Sequence, residues 1–120
     1  MARYVDGFVL PVPKKKLAAY LRLAKKAGKL WRELGALEYR ECVGDDLNTK
    51  LGVPFPRGIQ CKPAETVVFS WIVYKSRAHR DRVNKRIMSD PRVHELCNPK
   101  DTPFDPDRML YGGFKVMVEA

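Results

Sequence analysis

Asp6 stands inside an apolar stretch, Tyr4-Val5-Asp6-Gly7-Phe8-Val9-Leu10. A carboxylate on a core-facing position is costly unless a cation or hydrogen-bond donors meet it. It is therefore a pocket base with a raised pKa or one half of a structural ion pair. Its expected partner is Arg108 or Lys115, because first and last strands are often neighbours in small sheets. His79 is the second titratable candidate. It falls in the first turn of a helix, just beyond the most apolar strand, where imidazole titrates near neutral pH and serves as acid or base. A histidine held in a capping interaction with Ser76 would leave the same sequence pattern. Asp6 and His79 are the candidate catalytic groups. Arg108 is the candidate anchor for an anionic ligand, and Tyr4, Trp71, Tyr74 and Tyr111 are the candidate walls of a ligand pocket.

Other motifs carry less. His79-Arg80-Asp81 reproduces the H-R-D of a kinase catalytic loop. The chain has no phosphate loop and no D-F-G, and 120 residues are too few for that enzyme. His94, Glu95, Asp101, Asp105 and Asp107 form an acidic run without calcium-loop order, interrupted by Pro103 and Pro106, so no metal site is expected. The three cysteines, Cys42, Cys61 and Cys97, cannot all pair, and with two histidines they offer no zinc spacing. They read as unpaired thiols of a cytoplasmic protein, and no cofactor is expected.

Charge is the strongest compositional feature: 23 Lys and Arg against 14 Asp and Glu, a net +9. Much of it lies on the first helix, where Lys25, Lys26, Lys29 and Arg32 point away from the Leu17/Ala24/Trp31 stripe. The functional reading is a nucleic-acid contact surface. A solvated helix face would carry the same charge, and no aromatic side chains interleave with the lysines to stack bases. The YGGFKVMV segment lacks the basic residue before glycine that an RNA-recognition motif needs.

These residues need elements to hold them. Aromatic and β-branched enrichment predicts strands over 4–10, 37–43, 65–75 and 108–118. In the second, Leu37, Tyr39, Glu41 and Val43 share one face. Apolar steps of three and four predict a helix over 13–34, ended by Gly35, and a shorter one over 76–90, capped by Ser76 and stopped before Pro91. Gly112 and Gly113 suggest a bulge or a close backbone approach. The connection over 44–63, rich in glycine and proline, is a candidate lid, and 92–107 is a second connection. The opening MARYVDGFVLPVP is neither a signal peptide nor a membrane span.

The order β-α-β-β-α-β predicts one α+β domain over 1–120. It is the ferredoxin-like split pattern, an antiparallel sheet with both helices on one face and the pocket between sheet and helices. Two strands carry large apolar residues on both faces, so the second face needs cover. That predicts a homodimer packed sheet to sheet, a dimeric α/β barrel. YVDGFVLPVP, WIVYKSRAHRDRVNKRIMSDPR and FDPDRMLYGGFKVMV resemble the YbaA-like bacterial family over essentially the whole chain. The resemblance implies the same fold and dimeric barrel, and it implies no activity. The functional expectation is a small-molecule-binding protein or cofactor-independent enzyme taking a small anionic or aromatic ligand. A nucleic-acid-binding module is the alternative, and no membrane partner is expected.

Overall fold

In the computed structural model, which describes residues 2–97 and 102–120, the strand-forming stretches assemble into one antiparallel sheet. β1 is Tyr4–Pro13, β2 Glu38–Val43, β3 Glu65–Tyr74 and β4 Leu110–Lys115, in spatial order β2-β3-β1-β4. Helix α1 (Leu17–Glu33), entered through a short 3-10 turn, joins β1 to β2, and α3 (Arg77–Ser89) follows β3. The single-turn α2 (Phe55–Gly58) and the short α4 (Pro91–Leu96) lie in the connections. This is the expected α+β ferredoxin-like arrangement.

Strand parity sorts the side chains. On the helix side, Tyr4, Asp6, Leu10 and Val12 of β1 stand opposite Tyr74, Ile72, Val68 and Thr66 of β3. Two buried clusters fill the space beneath the helices. One joins Tyr4, Ile72 and Tyr74 to Ala36, Val83, Ile87 and Val93; the other joins Leu10, Val12 and Val68 to Tyr20 and Ala24. Phe8 packs against both. The opposite face presents Val5, Val9, Phe69, Trp71, Val73, Leu110 and Phe114, with Phe69, Leu110 and Phe114 exposed.

The elements depart from expectation in four places. β1 runs on through Pro11 to Pro13. Beyond Val9 it has β3 on one side and no β4 partner on the other, so a proline lacking its N–H is tolerated there. β4 is shorter than 108–118, because Asp105 caps a 3-10 turn that takes up Arg108. The 92–107 connection holds α4, begun by Asp90 as cap and Pro91 in the first turn; that Asp-Pro pair was the signal for it. The 44–63 connection does not act as a lid over the helix-side space. Phe55 packs edge-on against Phe69 with centroids 6.1 Å apart, which seats the segment on the other face.

Candidate functional site

Asp6 is almost fully buried, and its partner is Arg80, not Arg108 or Lys115. Arg80 Nη1 lies 3.3 Å from Asp6 Oδ1, and its Nε lies 3.0 Å from Asp81 Oδ1. The guanidinium also donates to Tyr111 Oη at 3.0 Å and Tyr4 Oη at 3.4 Å, and its carbon sits 4.9 Å from the centre of the Tyr4 ring. Helix α3 delivers Arg80 from its first turn onto the end of the sheet. Gly113 makes room for this cluster: a Cβ there would lie 2.4 Å from Tyr4 Oη. The two glycines thus hold the regular register opposite Asp6 and Gly7 without a bulge, and the close approach is real. Burial pushes the Asp6 carboxyl above its ordinary value, and Arg80 only partly opposes this.

The structure therefore brings Asp6, Tyr4, Tyr74 and Tyr111 together around Arg80, and leaves the other sequence candidates elsewhere. Arg108 lies toward the far end of β3, in an ion pair with Glu65 at 2.6 Å and donating to the Gln60 carbonyl. The adjacent arginine holds the Glu65 carboxyl below its usual range. Lys115 stands opposite Tyr4 on the exposed edge strand, two positions from the residue facing Asp6. The Trp71 ring belongs to the opposite sheet face, where its Nε1 donates to Glu38 at 3.2 Å, although the residue also borders the cavity between α1 and the sheet. His79 adjoins the cluster through an edge-on contact with Tyr74, yet its groups are occupied. Its backbone N–H donates to Ser76 Oγ, and its Nδ1 accepts from the Lys75 N–H at 2.9 Å. Burial, then the nearby Lys75, Arg82 and Arg86, lower its pKa and favour the neutral ring.

A second constellation lies between α1 and the sheet. An aromatic-lined pocket of about 210 Å³ opens where the two core clusters meet. Its walls include Phe8, Tyr20, Trp31, Tyr39, Ile72 and Phe104. Asp6, Arg80 and His79 do not line it. Its ionisable end is Glu41: Tyr20 donates to Oε1 at 2.8 Å and Tyr39 to Oε2 at 2.7 Å. Burial and the adjacent carboxylate raise both phenol pKa values, so both hydroxyls keep their protons. Gly28 lets Tyr39 lie against α1, because a Cβ there would meet the ring at 2.8 Å. Sequence reading missed this triad. The signal was the one that flagged Asp6, an acid placed among apolar residues on one strand face.

On the solvent side of Tyr39, α1 and β2 bound an open groove of about 750 Å³. Lys25, Lys29, Arg32 and Arg40 line it, together with Glu33, Glu38 and Glu41, while Lys26 lies outside it. Arg32 is engaged with the Ala36 and Leu37 carbonyls, Glu33 with Arg92, and Glu38 with Arg40. Among the described residues no group of three His, Cys, Asp or Glu side chains is placed to hold a metal ion. Asp101 of the acidic run lies outside the described residues; Asp105 caps its 3-10 turn, and His94 contacts the Met88 carbonyl. Cys42, Cys61 and Cys97 are unpaired. No helix among the described residues is long and apolar enough to cross a membrane.

Comparison with known proteins gives the following. Residues 3–106 match the model of a family described as "Protein of unknown function (DUF1428)". The "Uncharacterized protein YbaA" of Escherichia coli K12 is 43% identical over 117 residues, covering 98% of both chains, and that of Shigella flexneri matches equally. Among solved structures, a NIPSNAP family protein from Agrobacterium tumefaciens is similar with a TM-score of 0.61 at 12% identity, over 97% of this chain and 87% of that one. A NIPSNAP domain protein from Burkholderia xenovorans gives 0.59 at 16% identity, over 98% and 94%. A protein described as dimeric and ferredoxin-like, from an uncultured marine organism, gives 0.59 at 12% identity over 100% of both chains. At such identities the structural likeness speaks for the fold alone.

Proposed function

The chain belongs to the DUF1428 family of proteins of unknown function and is a relative of the YbaA proteins, and we propose that it binds a small, largely apolar molecule in the pocket between α1 and the sheet. The observation that carries this is the pocket itself: a 210 Å³ space walled by aromatic side chains with a carboxylate at one end. Ligand sites commonly take this form, apolar walls with a few placed polar groups. In this reading Asp6, Arg80 and His79 fix α3 to the sheet and are not proton-transfer groups. The nucleic-acid alternative draws less support, because acids are interleaved with Lys25, Lys29 and Arg32 along the groove.

The same reading takes the functional unit to be a homodimer. Phe69, Leu110 and Phe114 are 43%, 56% and 63% exposed on the sheet face away from the helices, an apolar surface that a second copy would cover. The dimeric ferredoxin-like relative supports this. Cytoplasmic location belongs to the same proposal, supported by three unpaired cysteines.

Binding is tested with indole, a neutral aromatic of suitable size, followed by saturation-transfer NMR. Wild type gives transfer to indole. Ala27→Phe fills the pocket and abolishes it while the variant melts cooperatively. No transfer with wild type, or equal transfer with both proteins, overturns the reading.

A further inference from the structure

We propose that the ligand of this pocket is an amphipathic amine, with an aromatic body in the cavity and an ammonium group seated on Glu41. The proposal rests on the pocket being a binding site and adds the chemical class of its occupant.

Hydrogen-bonding capacity at the polar end sets what a ligand must bring. Tyr20 and Tyr39 each have one hydroxyl proton, and both protons are spent on Glu41. What remains free on this triad is acceptor capacity: the outer lone pairs of the carboxylate and those of the two phenol oxygens. A ligand group must therefore bring donors. An ammonium brings three and a positive charge.

Charge points the same way. Glu41 accepts from the two phenols, and no Lys, Arg or His among the described residues forms an ion pair with it. Arg40, its neighbour in β2, borders the pocket, but its guanidinium is paired with Glu38 at 3.4 Å. Lys25 and Lys29 line the outer groove on the far side of Tyr39 and not the pocket. A carboxylate that is partly removed from water without a cation gains most from a cationic partner. An anionic ligand would meet Glu41 with like charge; other polar groups of the lining include Arg40, held by Glu38, and the Trp31 indole N–H, a neutral donor. The walls add to the preference, since the π-faces of tyrosine, tryptophan and phenylalanine attract ammonium groups. They stand close together here: Phe104 meets Tyr20 edge-on at 5.6 Å, and Trp31 lies 6.3 Å from Tyr39.

Size sets the limit. An apolar cavity of about 150 Å³ admits benzene, so 210 Å³ admits one ring with a short arm. The probes are three molecules that share a phenylethyl body: phenethylamine, 2-phenylethanol and 3-phenylpropanoate. Each is titrated calorimetrically into the full-length wild type, Glu41→Gln and Tyr20→Phe. The amine binds wild type at least tenfold more tightly than the alcohol, and the propanoate more weakly than either. Glu41→Gln removes the amine's advantage over the alcohol. Tyr20→Phe keeps the carboxylate and frees one of its oxygens, so the amine still outbinds the alcohol there; loss of that advantage overturns the proposal even where the Gln variant folds poorly. Propanoate binding as tightly as the amine overturns the proposal, as does an amine affinity indifferent to Glu41→Gln. If the alcohol and amine bind equally, the amine proposal falls and the pocket reading stands; if none of the three binds, both fall.

Discussion

Replacing Arg80 by methionine leaves Asp6 buried against Ile72 and Gly113 with its cation gone. At 3.3 Å and an effective dielectric constant of about 20, the Asp6–Arg80 attraction is about 5 kcal/mol. Dehydrating the two groups offsets much of that in the intact protein. In the variant the Asp6 dehydration cost stands alone, and such losses run to about 3–5 kcal/mol. Asp6→Asn is milder, about 1–3 kcal/mol, because Arg80 keeps Asp81, Tyr4 and Tyr111. The double variant Asp6→Asn/Arg80→Met removes both charges, so its loss falls short of the sum of the singles by about 2 kcal/mol. The assay is urea unfolding at pH 7 at one fixed protein concentration, since the proposed dimer adds a concentration term. A pH series gives a second check. A carboxyl with a raised folded pKa binds protons more readily in the native state, so its contribution improves as pH falls from the folded value toward the unfolded 3.8. The Arg80→Met penalty must shrink accordingly on acidification. An Arg80→Met loss under 1 kcal/mol, or strict additivity in the double variant, would refute the reasoning.

Three further outcomes are expected. His79 has a lowered folded pKa, so the native state resists its protonation and stability is lost as pH falls below 6.5; in His79→Asn, whose side-chain oxygen can accept the Lys75 N–H, thermal melts between pH 7.5 and 5.5 lose that component. Gly28→Ala drives a methyl into Tyr39 and costs about 1–3 kcal/mol, with loss of the Tyr39–Glu41 bond read from a fall in the Tyr39 phenol pKa by ultraviolet titration. Phe69→Lys/Phe114→Lys places charge on the open sheet face, and light scattering at micromolar concentration reports a monomer where wild type reports a dimer; a monomeric wild type contradicts the assembly.

Much of the fold was legible because its signals are local. The apolar run of β3, the three-and-four spacing of α1 and the Ser76 cap each depend on residues close together in the chain. Alternation along β1 placed Tyr4 and Asp6 on one face, and β-strand parity kept them there. The gathering of Asp6 with Tyr4, Tyr74 and Tyr111 follows from the same parity once the register is set.

What the sequence by itself determined is that Asp6 is buried and must have a partner, since a strand's two-residue period and the cost of a lone carboxylate follow from residue types. Which cation answers it was decided by tertiary structure. The crossover of α3 sets Arg80 over the strand end, 74 positions along the chain, while the 3-10 turn before β4 carries Arg108 away to Glu65. The pocket belongs to the same class of fact. Tyr20 and Glu41 share a hydrogen bond because α1 packs across β2 at a distance that Gly28 permits, and no period within either element encodes that meeting.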